Sequence, residues 1–356
     1  MQITNLRLQL QQISVQQFTT PNQIANWMGA LQSQDYEMSK WAVALRLPNQ
    51  NENKIEDALN NGEIIRTHIL RPTWHIVSAQ NLRWMMDLSA PQLIRTLNSY
   101  NKSVDLDAKD LIKSEKIILK LLQKKNHCTR DEIMMVLQKE KIKTDGYRSA
   151  HIMFHCELNS LVCNGIRKGK EITYALIDER IPVFKKLTRD EALAKLATIY
   201  FQSHSPATLK DFSWWSGLNQ TDAKKAISFI QINLEKIIVG EQIYFAFDNN
   251  NIPLTPLKGG IIAHPQIHLL PAFDEYIISY NHRDDIIEKK KYWEVATKNG
   301  MFKPIIIQNG KIIGTWKRTI TGKKITTEIF PFEKISKQMH QEIEMKMELF
   351  KKYLSN

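Results

Sequence analysis

Apolar positions recur every three or four residues through most of the first 60 residues. Ile3, Leu6, Leu10 and Ile13 mark one helix, and Thr20-Pro21 supply an N-cap and an N1 proline for a second that reaches about Leu31. Met38, Trp41, Ala42 and Leu45 repeat the spacing up to Pro48, and 55–59 opens a further helix ended by Asn61-Gly62. The period then changes: 64–70 and 73–77 are β-rich runs flanking Arg71-Pro72, after which Ser78 is placed to cap a helix over 79–88. Helices, then two strands, then a helix predict a helix-turn-helix module with a wing.

The same order returns downstream. An amphipathic helix over 107–125, a second capped by Thr129 and a third from Gly146 to about Leu161 precede β-prone runs at 161–163 and 171–175. The turn between those runs carries Arg167, Lys168 and Lys170, and in a winged helix such a wing touches phosphates while the third helix enters a groove. A third copy is expected at 189–247. Three β runs, at 304–308, 311–318 and 324–329, follow, the first two joined by Asn309-Gly310, a type I′ hairpin signal. Trp316, Lys317, Arg318, Lys323 and Lys324 gather at this hairpin, and Ile335, Met339, Ile343, Met347 and Phe350 stripe a final helix that packs back on the β element. The fold class is α+β and mainly helical: three tandem winged-helix modules (1–100, 101–186, 187–250) in a concave array, then a small β-barrel-like element with a terminal helix (251–356).

Composition narrows the function. The chain has 356 residues, 49 Lys plus Arg against 37 Asp plus Glu, and a net charge of +12. Residues 281–330 carry half of that excess, whereas the first 100 are nearly neutral, so a polyanion is the expected partner. Three cysteines without a CxxC, and no basic-then-apolar leader, suggest a reduced, cytoplasmic protein. No run approaches the roughly 20 apolar residues of a membrane span. His151 and His155 have one-helix chelating spacing but no evident third ligand, so no metal is expected, and without a Gly-rich phosphate loop no nucleotide cofactor is either. Trp214-Trp215 read as a core cap rather than a stacking platform. The unusual local sequence is Leu31-Gln32-Ser33-Gln34-Asp35, whose amides suit a hydrogen-bonded helix terminus as well as a site. Arg66, Arg71 and His75 are equally open between surface residues and the lining of a basic cleft.

That segment, with 66–77 and Leu82-Arg83-Trp84, resembles the winged-helix DNA glycosylases of the AlkZ and YcaQ type. The likeness continues through Ala207-Thr208-Leu209, Trp214-Trp215-Ser216-Gly217-Leu218, Leu270-Pro271-Ala272-Phe273-Asp274-Glu275-Tyr276 and Gly314-Thr315-Trp316-Lys317-Arg318. The resemblance implies removal of N-alkylated purines from double-stranded DNA, and in some members unhooking of interstrand crosslinks, without a cofactor. Gln32 and Gln34 map onto the family's catalytic pair, which groups the chain with the AlkZ-like branch. Ser33 departs from the usual small or apolar middle residue. Arg66, Arg71 and His75 would contact phosphate or sugar near the lesion, while Trp316 enters a groove and its neighbouring cations hold phosphates. A monomeric, monofunctional glycosylase is expected; the alternative is a non-enzymatic winged-helix regulator.

Overall fold

The computed structural model describes residues 3–248, 266–322 and 324–355. Among them one order of elements runs three times: a helix, a short edge strand or bridge, two helices and a hairpin whose last strand pairs with that edge. The first run is Pro21–Met28, Leu31–Gln32, Tyr36–Ala44, Glu52–Asn60, Ile64–Ile69 and Arg71–Ser78. The second comprises Ala108–Lys125, Cys128–Thr129, Arg130–Lys139, Arg148–Leu158, Val162–Asn164 and Thr173–Leu176. In the third, Arg189–His204 is followed by an Ala207–Phe245 bridge, then Leu209–Ser216, Gln220–Phe229, Leu234–Val239 and Gln242–Phe247. Thr20, Thr129, Thr188 and Thr208 each close a capping box with the residue three positions on, which fixes the helix starts locally.

Two expectations need correction. The helix expected over 79–88 runs on as Ala79–Ser103, through Pro91, so a module boundary at residue 100 falls inside it. An interior proline costs about 3 kcal/mol. Leu93 and Leu97 beyond it are both buried, and burial of about 1.5–3 kcal/mol each offsets that cost. The carboxy-terminal β element is an open four-stranded antiparallel sheet, in the order Lys324–Pro331, Lys311–Thr321, Ile305–Gln308, Ile267–Leu270; no closed barrel occurs among the described residues. Its Asn309-Gly310 turn has positive φ at both positions (48° and 80°), as a type I′ turn requires.

This last part folds back onto the first. Ile24, Trp41 and Ile55 share one apolar core with Leu269, Ile306, Trp316 and, from the terminal helix Lys337–Ser355, Phe350. A fully buried Arg46–Asp274 pair, bidentate at 2.9 Å on both nitrogens, pins the return. The third run shares an apolar core with the helix Ala79–Ser103 and the first run through Ala30, Leu82, Trp84, Leu196 and Trp215.

Candidate active site

Gly29 (φ +76°) ends the helix Pro21–Met28, and a side chain there would collide with Ile199 Cγ2. The chain therefore turns at once into the edge strand, where Leu31 pairs with Ile76 and Gln32 with His75. Asp35 then caps Tyr36–Ala44, accepting from the Met38 amide at 3.0 Å. Between these anchors the strand ends at Gln32 and the chain bends at Gln34 and Asp35 into the helix. Gln32 is half-buried and Gln34 exposed, whereas Ser33 points inward and is fully buried.

Ser33 has a structural task. Its carbonyl accepts from Arg66 Nη2 (2.9 Å) and Nε (3.1 Å), and its hydroxyl accepts from Arg66 Nε (3.0 Å) and lies 2.6 Å from Ser39 Oγ. The Arg66 guanidinium stacks on Trp74 at 4.0 Å and also reaches Asn164 in the second run, and burial pulls its pKa down to about 10. Arg66 therefore braces the motif from behind and is not a phosphate contact. His75 is likewise corrected. It is fully buried, donates Nδ1–H to the Thr73 carbonyl (2.9 Å), and burial followed by the nearby Arg71 charge pushes its pKa well down. Its neutral ring presents Nε2 as an acceptor to Arg71 Nη2 at 3.4 Å, which orients that guanidinium toward Gln32 Oε1 at 3.3 Å.

Glu275 lies behind these groups. Its buried carboxylate accepts from the Gln32 backbone N–H (2.7 Å), from Trp215 Nε1 (3.2 Å) and from the Ser279 hydroxyl. Burial raises its pKa against the opposing pull of Arg71. In the sequence its signal is the pair of acids, Asp274 and Glu275, in the otherwise apolar run 269–278. Gly217 (φ +71°) sits so close to the Leu70 carbonyl that no side chain fits, which lets the helix end pack onto Leu70 and Arg71, and Trp214 and Arg71 line one cleft. The result is a cleft of about 410 Å³ whose lining includes Gln32, Arg71, Trp214, Arg283, Trp293 and Phe302. The tryptophan pair is split in role: Trp215 is core, and Trp214, 45 % exposed, faces the cleft.

The predicted phosphate-binding cations fare unevenly. Arg167 is paired with Glu37 (2.9 Å) and Glu56 (3.4 Å) and docks the second hairpin on the first run; it is not a free cation. Lys168 is held near Glu132 (3.4 Å) and the His127 carbonyl, whereas Lys170 is exposed. Trp316 is 1 % exposed, packs edge-on against Phe350 (5.0 Å) and donates Nε1–H to the Leu270 carbonyl, so it cannot enter a groove. Strand alternation explains this: Trp316 and Arg318 face the terminal helix, leaving Lys317 on the solvent side. Arg318 lies 3.9 Å from Asp35, Lys324 is exposed, and Lys323 lies outside the described residues. His155 pairs with Glu115 (2.9 Å) while His151 contacts Asn101, so the two do not converge.

A family model described as DNA glycosylase AlkZ-like matches residues 25–353, which takes in the motif, the cleft and the terminal helix. The chain belongs to the AlkZ-like DNA glycosylase family. The interstrand DNA cross-link repair glycosylase of Streptomyces sahachiroi is 20 % identical over 355 residues, covering 93 % of this chain and 90 % of the relative. The solved structure of Streptomyces sahachiroi DNA glycosylase AlkZ has the same fold, with a TM-score of 0.77 at 18 % identity over 96 % of this chain and 93 % of that one. Among the described residues no helix is long and apolar enough to cross a membrane.

Proposed function

We propose that this member of the AlkZ-like family is a monofunctional DNA glycosylase that hydrolyses the N-glycosidic bond of N-alkylated purines, with interstrand crosslinks within its range. The observation that carries this reading is that Gln32, half-buried, lines the cleft and Gln34 is exposed, on either side of a buried, braced Ser33. An N7- or N3-alkylated purine is already cationic. It takes the bonding pair and leaves as a neutral base, so no strong acid is required. Water adds to the sugar carbon and gives up its proton to solvent, leaving an abasic site. A carboxamide cannot deprotonate water near neutral pH, but its oxygen can accept from one and aim it. Arg71 uses one lone pair of Gln32 Oε1 and leaves the other for that water. Gln34, on its fixed backbone, would act on the same sugar from the other end of the segment.

The three repeated runs, 21–78, 108–176 and 189–247, are read as winged-helix units that grip the duplex, with the carboxy-terminal part supporting the first. The relative's name concerns interstrand crosslinks, which supports including them among the substrates. The test is base release by the full chain from duplexes carrying N7-methylguanine or a crosslink. Free base and an abasic strand that borohydride does not trap on the protein are expected. No release from any of these duplexes, or a trapped covalent adduct, would overturn the reading.

A further inference from the structure

The cleft beside Gln32 carries more than the glutamine chemistry uses. Arg71 and Arg283 both line it, and neither forms a carboxylate salt bridge among the described residues. Arg71 Nε and Arg283 Nη2 are buried without a hydrogen-bond partner. Burial lowers the pKa of both; at Arg71 the buried Glu275 carboxylate pulls the other way and the Arg283 charge adds to the lowering. Two desolvated guanidinium groups with unused donors suit an oxyanion. The same lining is also aromatic. Trp214 and Trp293 are 45 % and 61 % exposed, and Phe302 lies next to them. Trp214 is fixed in place by donating Nε1–H to the Ile278 carbonyl at 2.8 Å, and Arg283 stands 5.5 Å over its ring and 5.7 Å over Phe302.

A planar ring and an anion side by side are the two halves of a nucleotide. We propose that the cleft holds one unstacked nucleotide of the DNA, its ring against Trp214 and Trp293 and its phosphodiester at Arg71 and Arg283. The volume of about 410 Å³ falls within the roughly 300–1,000 Å³ of small-ligand sites. Extruding a base costs least where pairing is already lost, so the subsite selects weakened positions. The proposal rests on the glycosylase reading only for the choice of DNA as ligand.

Binding without bond cleavage therefore tests it separately. Anisotropy titrations compare the full chain on an intact duplex, a duplex with one bulged purine, and the same bulge lacking its base. Stacking on an aromatic side chain predicts roughly ten-fold preference for the bulged purine over the baseless bulge. Trp214→Ala removes that preference and Trp214→Phe restores most of it. Arg283→Ala, or Arg283→Lys should the alanine variant fail to fold, weakens both bulged duplexes alike. A wild-type chain that binds the two bulges equally, or a Trp214→Ala variant that keeps the preference, overturns the proposal, whether or not base release is observed.

Discussion

The segment 32–34 and the hairpin built from Lys311–Thr321 and Lys324–Pro331 are both candidate DNA-facing regions, and they are built on opposite plans. The segment exposes uncharged amides and keeps its charge behind them, in Arg66 under Ser33 and Glu275 under the Gln32 amide. The hairpin exposes Lys317 and Lys324 and keeps its aromatic, Trp316, inside. The difference teaches that charge at a DNA-binding surface serves two ends. Desolvated charge holds geometry, because a buried ion with good hydrogen bonds has few alternative positions. Solvated charge attracts phosphate and is screened by salt.

The comparison predicts that breaking internal charge harms the fold and breaking solvated charge harms only binding. The largest effect is expected for Arg46→Ala, which strands the Asp274 carboxylate next to Glu275; denaturant unfolding should show a loss of about 3–5 kcal/mol. A loss below 1 kcal/mol would mean that the pair does not anchor the return of the chain. Acid should act in the same place. His204 is fully buried beside Trp215, and burial holds its pKa down at about 3. Its unfolded form takes up a proton below about 6.5 while the folded form does not, so stability is fully present above that pH and is lost as pH falls toward 3. The slope from this group approaches about 1.4 kcal/mol per pH unit, and denaturation midpoints of His204→Gln between pH 7 and 4 should show it reduced. An unchanged slope would assign acid sensitivity elsewhere.

The smallest effects sharpen the contrast between the two basic hairpins. Arg167→Ala should lower stability by about 1–2 kcal/mol while leaving the slope of log affinity against log salt unchanged, since its charge is already neutralised by Glu37 and Glu56. Combining Lys317→Ala with Lys324→Ala should do the reverse, flattening that slope by up to roughly two units at wild-type stability. Equal salt slopes for both variants would erase the distinction.

Much of this was legible in the sequence where local rules decide. Thr20, Thr129 and the Asn309-Gly310 turn act through neighbours within a few residues, and the helix starts and the turn they set stand where expected, although the first of these helices ends at Met28 and not near Leu31. Gln32 and Gln34 stood out because polar amides interrupt apolar helix faces. What was hidden depends on partners far away in the chain. Nothing local says that Arg167 meets Glu37, that Arg66 braces Ser33, or that Trp316 is covered by Phe350. Counting cations overstates a DNA surface for that reason: the count does not distinguish a charge facing water from one facing a carboxylate. The helix continuing through Pro91 is the same lesson on the backbone, with packing of Leu93 and Leu97 overriding a breaker.

The central claim is that bond cleavage and duplex holding reside in different regions. Single-turnover base release at saturating DNA, measured beside the dissociation constant, tests it most directly for Gln34→Ala and for the Lys317→Ala, Lys324→Ala pair. Gln34→Ala should lose about 100-fold or more in rate and bind within about two-fold of wild type, within the scatter of a surface change. The lysine pair should bind more weakly and cleave at the wild-type rate once saturated. Release at the wild-type rate by Gln34→Ala, or a rate loss in the lysine pair that saturation does not recover, would contradict the account.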